Sequence, residues 1–384
     1  MQDGRRPLDG VRVLDFTRVL AGPYATALMA DLGADVIKVE GPGGDDYRHI
    51  GPFREGESAL FQTVNRGKRS IVLDLKAAED VALARRLAAR ADVLVENFRP
   101  GVMEKLGLGA GALQAMNPRL VFASISGFGQ DGPDAARPAY DVIVQAMSGI
   151  MEQTGAADGP PTMVGEAVAD VAGGLFGAWG ILAALYERER TGRGRRIDLA
   201  LFDALASMMP TAAARVLVCD EDPCRTGNRH ALSAPFGTYA AGAGRFAVAV
   251  LNDRLFAAFC AAIGRPELAA DPRFASDGDR RAHESLLAEA IEDWAAALSA
   301  DEAVARLAAA GVPASALATA RAVWTSDRVR RRGLVSEVAH PGLGALSLPE
   351  QPVRFAGCPR GGRLAAPALD ADGAAIRAEM EERQ

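Results

Sequence analysis

The sequence is poor in histidine and cysteine: His49, His230, His283 and His340 against Cys219, Cys224, Cys260 and Cys358 are all that 384 residues contain. Histidines so few and so scattered give no local support to a metal cluster or a histidine-based triad. The cysteines are too sparse for a disulfide framework. Cys219 and Cys224 form a C-x4-C pair, but no second Cys or His pair follows to complete four ligands, so no metal is expected. A Walker A loop, an H-E-x-x-H helix and a G-x-S-x-G elbow are all missing. The turn after VRVLDF reads TRVLAGP and lacks the G-x-G-x-x-G that brings backbone against a pyrophosphate. Charge of one sign is scarce too: the net charge is -6, which offers nothing to nucleic acid or to an anionic membrane. The N-terminus has no apolar signal-peptide core, and the longest apolar stretch, residues 171–186, contains four glycines and falls short of a membrane span. A cytoplasmic protein that makes no nucleic-acid or membrane contact is expected.

What is present is a large apolar fraction, 49%, in a chain long enough for two domains. VRVLDF, ADVIKVE, SIVLDL, DVLVENF and RLVFASISGFG read as strands separated by helix-period stretches. That alternation predicts a doubly wound α/β domain on a parallel sheet. Residues 140–190 turn helical, and RIDLALFDALASMM resumes as strand then helix. FGTYAAGAGRFAVAV gives two alternating strands about a Gly-rich turn, and three helical stretches follow between residues 253 and 310, making a smaller α+β unit. The expected division is a large domain of 1–220 plus 335–384, a small one of 230–322, and linkers at 221–229 and 323–334. The Arg-rich part of the second linker reads as a solvated helix face before an anion site.

With the usual nucleophile motifs absent, carboxylates lead as carriers of chemistry. Asp170 follows GEAVA and opens the apolar run VAGGLFGAWG. One reading is a cap or first-turn acid that satisfies orphan amides and meets the helix dipole, worth ~1 kcal/mol. The other is a nucleophile, kept ionised by the dipole and poorly hydrated among apolar neighbours. Spacing alone favours the first, and the two are compatible.

Several blocks taken together resemble the family III CoA transferases and the related α-methylacyl-CoA racemases: PLDGVRVLDFTRVLAGPYATALMADLGADVIKVEGPGGDDYR, NRGKRSIVLDLK, ADVLVENFRPGVMEKLGL, NPRLVFASISGFGQDGP, RPAYDVIVQAMSGIMEQTG and HPGLGALSLPEQPVRFAG. The resemblance implies that Asp170 attacks an acyl-CoA thioester, so CoA moves between acids through aspartyl anhydride and aspartyl-CoA intermediates. It implies CoA and acyl-CoA as substrates with no permanently bound cofactor, and a small carboxylic acid as the second substrate. Positions matching the family's CoA site are Val19, Leu20 and Ala21, then Leu73, Asp74, Leu75 and Lys76, then Asn97, Phe98 and Arg99, and Lys105. Arg99 and Lys105 read equally as surface charges, and Lys38 and Arg137 are further cationic candidates. Leu20 stands where formyl-CoA transferases have glutamine, which points away from oxalate and formyl-CoA. Tyr140 stands where the racemases have histidine, which removes one of the two bases that α-proton exchange needs. Asp141 is expected to support the site by hydrogen bonding or to be structural. RPAYD is similar to the succinate:dicarboxylate branch, so dicarboxylic or hydroxy-dicarboxylic acids are the expected class. Racemization and a noncatalytic CoA-binding role are the alternatives. The family's interlocked homodimer is the expected assembly.

Overall fold

The computed structural model describes residues 5–358 and 364–381. The chain forms two compact units. The first comprises the chain up to Ile150, Met163–Asp220 and the chain from Asp327 onward; the second comprises Met151–Thr162 and Glu221–Ser326.

In the first unit, β1 (Arg12–Asp15), β2 (Asp35–Glu40), β3 (Arg69–Val72), β4 (Val93–Glu96), β5 (Val121–Ser126) and β6 (Arg196–Ala200) form one parallel sheet in the order β3-β2-β1-β4-β5-β6. Every residue of β4 and β5 is buried, because helices cover both faces, and this is why these strands read as near-continuous apolar runs. On one face Val13, Met29, Val93, Ile125 and Ile181 form the core; on the other, Leu14, Ile37, Ile71, Leu94 and Phe122 do so, joined by Ile376 and Met380 of the C-terminal helix Gly373–Glu381. The strand order reverses at β1, whose Val13 pairs with Val36 of β2 on one side and Val93 of β4 on the other. Loops leaving β1 and β4 diverge there and open a crevice at the carboxyl ends of the strands.

Three helices frame that crevice: α1 (Ala21–Asp31), α2 (Asp141–Ser148) and α3 (Val168–Thr191). The glycines early in α3 serve helix packing. A Cβ on Gly174 would lie 2.8 Å from the Ala21 carbonyl oxygen and from the Tyr24 ring, so α3 lies against α1 closer than any larger residue allows. At 24 residues α3 is longer than the apolar stretch suggested, and by length and composition it is long enough to cross a membrane; half of the apolar window is buried within the chain. Leu175, Trp179 and Tyr186 are exposed along it.

The second unit is built on an antiparallel sheet of Phe236–Ala240, Arg245–Ala249 and Ala314–Ala316 over a core that includes Tyr239, Phe246, Phe259, Leu287, Ile291 and Leu307. Four helices stand between residues 253 and 309 where three were expected. The additional one, Asp277–Ala282, starts at a reciprocal Ser276–Asp279 capping box and stops at His283, a break too local for hydrophobic period to reveal. Residues 151–162 group with this unit, where the Arg225 guanidinium pairs with Glu152 at 2.6 Å.

Candidate active site

Two clefts open at the carboxyl ends of the strands. The first, about 200 Å³, is lined by Val19, Leu20 and Ala21 where β1 turns into α1, by Asn97, Phe98 and Arg99 after β4, by Ser126 at the end of β5, by Arg137 and Tyr140, and by Asp170. The second, about 550 Å³, is lined by Leu73, Asp74, Leu75 and Lys76 after β3 and by the turn after β2; Arg18 and Phe98 line both. The fold therefore gathers residues from position 19 to position 170 along one sheet edge. Lys105 ends the short helix Val102–Lys105, is exposed, and lines neither cleft. Lys38 departs from the expectation of a phosphate contact. It is fully buried, with its ammonium bound by Asp45 at 2.7 Å and by the Thr17 carbonyl at 2.8 Å, so its charge is already met inside the chain.

That buried pair shapes the first loop. Asp45 Oδ1 accepts from the Val19 amide at 3.0 Å and from the Tyr47 amide at 2.9 Å. Val19 is thereby held at φ +67, a left-handed conformation that is unusual for a β-branched residue. Beside it, the Asn97 side chain accepts from the Arg18 amide (3.0 Å) and donates to the Arg18 carbonyl (2.8 Å), joining the loops after β1 and β4. The exposed Arg18 guanidinium lies over the Phe98 ring, 5.9 Å from its centroid.

Asp170 sits in the first turn of α3, half-buried, and among the described residues its carboxylate has no hydrogen-bond or ion-pair partner. It does not cap its own helix. Asp141, the first residue of α2, does so from outside: its Oδ1 accepts from the Ala169 amide at 2.7 Å and from the Asp170 amide at 3.3 Å. Gln145, fully buried, holds this arrangement by donating to Asp141 Oδ2 (2.7 Å) and accepting from the Val164 amide (3.0 Å). The helix dipole was expected to keep Asp170 ionised, but the acid is pushed up to about 7. Burial is the larger cause and the charge of Asp141 the second. With the terminal amides already occupied by Asp141, the dipole has little left to offer Asp170. Tyr47, which lines neither cleft, is raised to about 12, by burial first and then by the carboxylates of Asp170, Asp45, Glu166 and Asp141. Tyr140 is 72% exposed at the cleft mouth, and the Arg137 guanidinium lies 5.6 Å from the Phe128 ring centroid and 3.7 Å from Asp134.

The sequence reading missed Arg18, Asp45 and Gln145. Arg18 adjoins a loop already singled out and was within reach; the others acquire meaning only through contacts distant in sequence.

Known proteins resemble this chain over nearly its whole length. The profile of CoA-transferase family III matches residues 8–373. The acetyl-CoA:oxalate CoA-transferase of Acetobacter aceti is 45% identical over 97% of this chain and 96% of its own length. The succinyl-CoA:mesaconate CoA-transferase of Haloarcula hispanica is 40% identical over 92% of this chain and 89% of its own. Among solved structures, a CAIB/BAIF family protein from Brucella suis superposes with a TM-score of 0.87 at 40% identity, covering 98% of this chain and 100% of that one.

Proposed function

The chain belongs to CoA-transferase family III, and from that premise we propose that it moves CoA from an acyl-CoA to a short free dicarboxylic acid with Asp170 as the covalent nucleophile. The observation that carries this reading is the state of Asp170: half-buried in a cleft wall, without a partner among the described residues, and pushed up to about 7. A carboxylate stripped of water and of cations is a stronger nucleophile than one that is paired.

In the first step an Asp170 oxygen attacks the thioester carbonyl, the C–S bond breaks, and CoA leaves as thiolate, giving a mixed anhydride. The thiolate then attacks the Asp170 carbonyl, expelling the first acid as carboxylate and leaving an aspartyl-CoA thioester. The acceptor carboxylate attacks that thioester, releases thiolate and forms a second anhydride. Attack of thiolate on the acyl carbonyl yields the new acyl-CoA and regenerates Asp170. Each step exchanges one carbon–sulfur or carbon–oxygen bond for another, so thioester energy is conserved as long as water is kept out.

CoA lies along the loops that carry Val19 to Ala21, Leu73 to Lys76 and Asn97 to Arg99, with Arg18 and Arg99 facing its phosphates. The two relatives support dicarboxylates as the acid class. One is named for oxalate, so that acid belongs among the candidates even though Leu20 pointed away from it. A homodimer is supported by the exposed row Leu175, Trp179 and Tyr186, an apolar surface suited to a second copy.

Acetyl-CoA or succinyl-CoA supplied with oxalate, mesaconate or glutarate should yield a new thioester. Asp170→Asn should lose activity by on the order of 10³-fold or more, as removal of a covalent nucleophile does. Hydroxylamine added during turnover should leave a hydroxamate on the Asp170 peptide by mass spectrometry. Transfer by Asp170→Asn at the wild-type rate overturns the assignment.

A further inference from the structure

Beside the loop that lines both clefts stands a buried acid that the reaction above does not use. Glu96, the last residue of β4, is 3% exposed and lines neither cleft. Burial pushes it up to about 7, although the Ser124 hydroxyl and the Phe98 amide both pull it down. Among the described residues no cation forms an ion pair with it. A buried carboxyl group without a cation is a burden on the fold that an apolar residue of similar size would not impose.

Its contacts point to the loop that follows. Leu94 and Phe122 face the second core of the sheet, so by strand alternation Glu96 and Ser124, which are register partners, stand on that face too. Glu96 Oε2 accepts from the Phe98 amide at 2.8 Å, which turns the chain as it leaves the sheet. Ser124, itself 1% exposed, holds the carboxyl group with its hydroxyl. Phe98 packs against the same core and lines both clefts. Asn97, between Glu96 and Phe98, is the residue whose side chain holds the Arg18 backbone, so one carboxyl group sets a segment that joins the loops after β1 and β4.

We infer that Glu96 is a positioning residue for acyl-CoA: its carboxyl group fixes the Phe98 amide, and with it the loop of residues 97–99, in the shape that receives the CoA portion. The inference rests on the CoA-transfer reading and adds to it a residue that acts without touching substrate. Asp170 is held by Asp141 and Gln145 and not by this loop, so the reacting carboxylate does not depend on Glu96.

Steady-state kinetics of Glu96→Leu and Glu96→Gln test it, with acyl-CoA and acid varied separately and thermal stability measured alongside. Glu96→Leu fills the space but offers the Phe98 amide no acceptor. It should raise KM for acyl-CoA by about tenfold, because the loop must then be ordered on binding, with kcat and the acid KM within about twofold of wild type. Glu96→Gln keeps an oxygen for that amide and should restore the acyl-CoA KM. An unchanged acyl-CoA KM in Glu96→Leu, a fall in kcat and Tm without a rise in that KM, or no recovery in Glu96→Gln overturns the inference. Should Glu96→Leu not fold, Ser124→Ala takes its place: losing the hydroxyl that holds the carboxyl group should raise the same KM about threefold, and an unchanged KM refutes the inference. If the wild type transfers nothing, the CoA-transfer reading fails separately, and calorimetric titration of CoA into wild type and the folded variant decides. Weaker binding to the variant supports the positioning role; equal binding, or none to either protein, refutes it.

Discussion

Asp15 and Asp170 both lie at the carboxyl end of the same sheet, yet one titrates at about 2 and the other at about 7. Asp15, the last residue of β1, is fully buried. Burial pushes it up, but the ammoniums of Lys68, at 2.9 Å, and Lys38 outweigh that, and the hydroxyls of Thr17 and Thr26 complete its hydrogen bonds. Asp170 is less buried and, among the described residues, has no cation beside it, only the second carboxylate of Asp141. Burial alone therefore does not decide which way a carboxylate shifts. What separates the two acids is the presence or absence of a positive neighbour.

The largest way to break this contrast is to remove the cation. Lys68→Met leaves Asp15 buried with its main partner gone and should cost about 4 kcal/mol of stability near neutral pH, measured by urea unfolding. A loss below about 1 kcal/mol would mean that Lys38 alone holds Asp15.

Next in size is a difference in sign. Asp170 titrates at about 7 in the folded chain against an ordinary value of 3.8, so between those values the folded state holds the extra proton. Its contribution to stability is present in acid and is lost as pH rises through 7. Asp15, held at about 2, contributes stability above its ordinary value of 3.8 and loses it as pH falls toward 2. Asp170→Asn should thus be more stable than wild type by roughly 2 kcal/mol at about pH 8, with the gap closing below about pH 4. A constant gap across that range would show that Asp170 is ionised throughout.

The smallest effect sharpens the comparison. Asp141→Asn keeps an oxygen for the Ala169 amide but removes the like charge, and should move the acid limb of the kcat/KM–pH profile down by about one unit. An unmoved limb would assign the shift to burial alone.

Much of this architecture was legible from the chain. The strands of the first unit announced themselves because burial on both faces leaves unbroken apolar runs, and Asp170 was visible as a charge at the head of an apolar helix. The division of labour at that helix was not legible: Asp141 caps it from 28 residues upstream, and no local pattern links the two. Lys38 was misread for a similar reason, since its partner Asp45 follows a turn and only the folded loop shows that the charge is met.

Val19 carries a last consequence. Its left-handed backbone, fixed by Asp45 and Lys38, means that the loop lining the cleft with Asp170 is set in shape by contacts within the chain. The conformational entropy of ordering that loop is surrendered once, during folding, and is not surrendered again at every turnover.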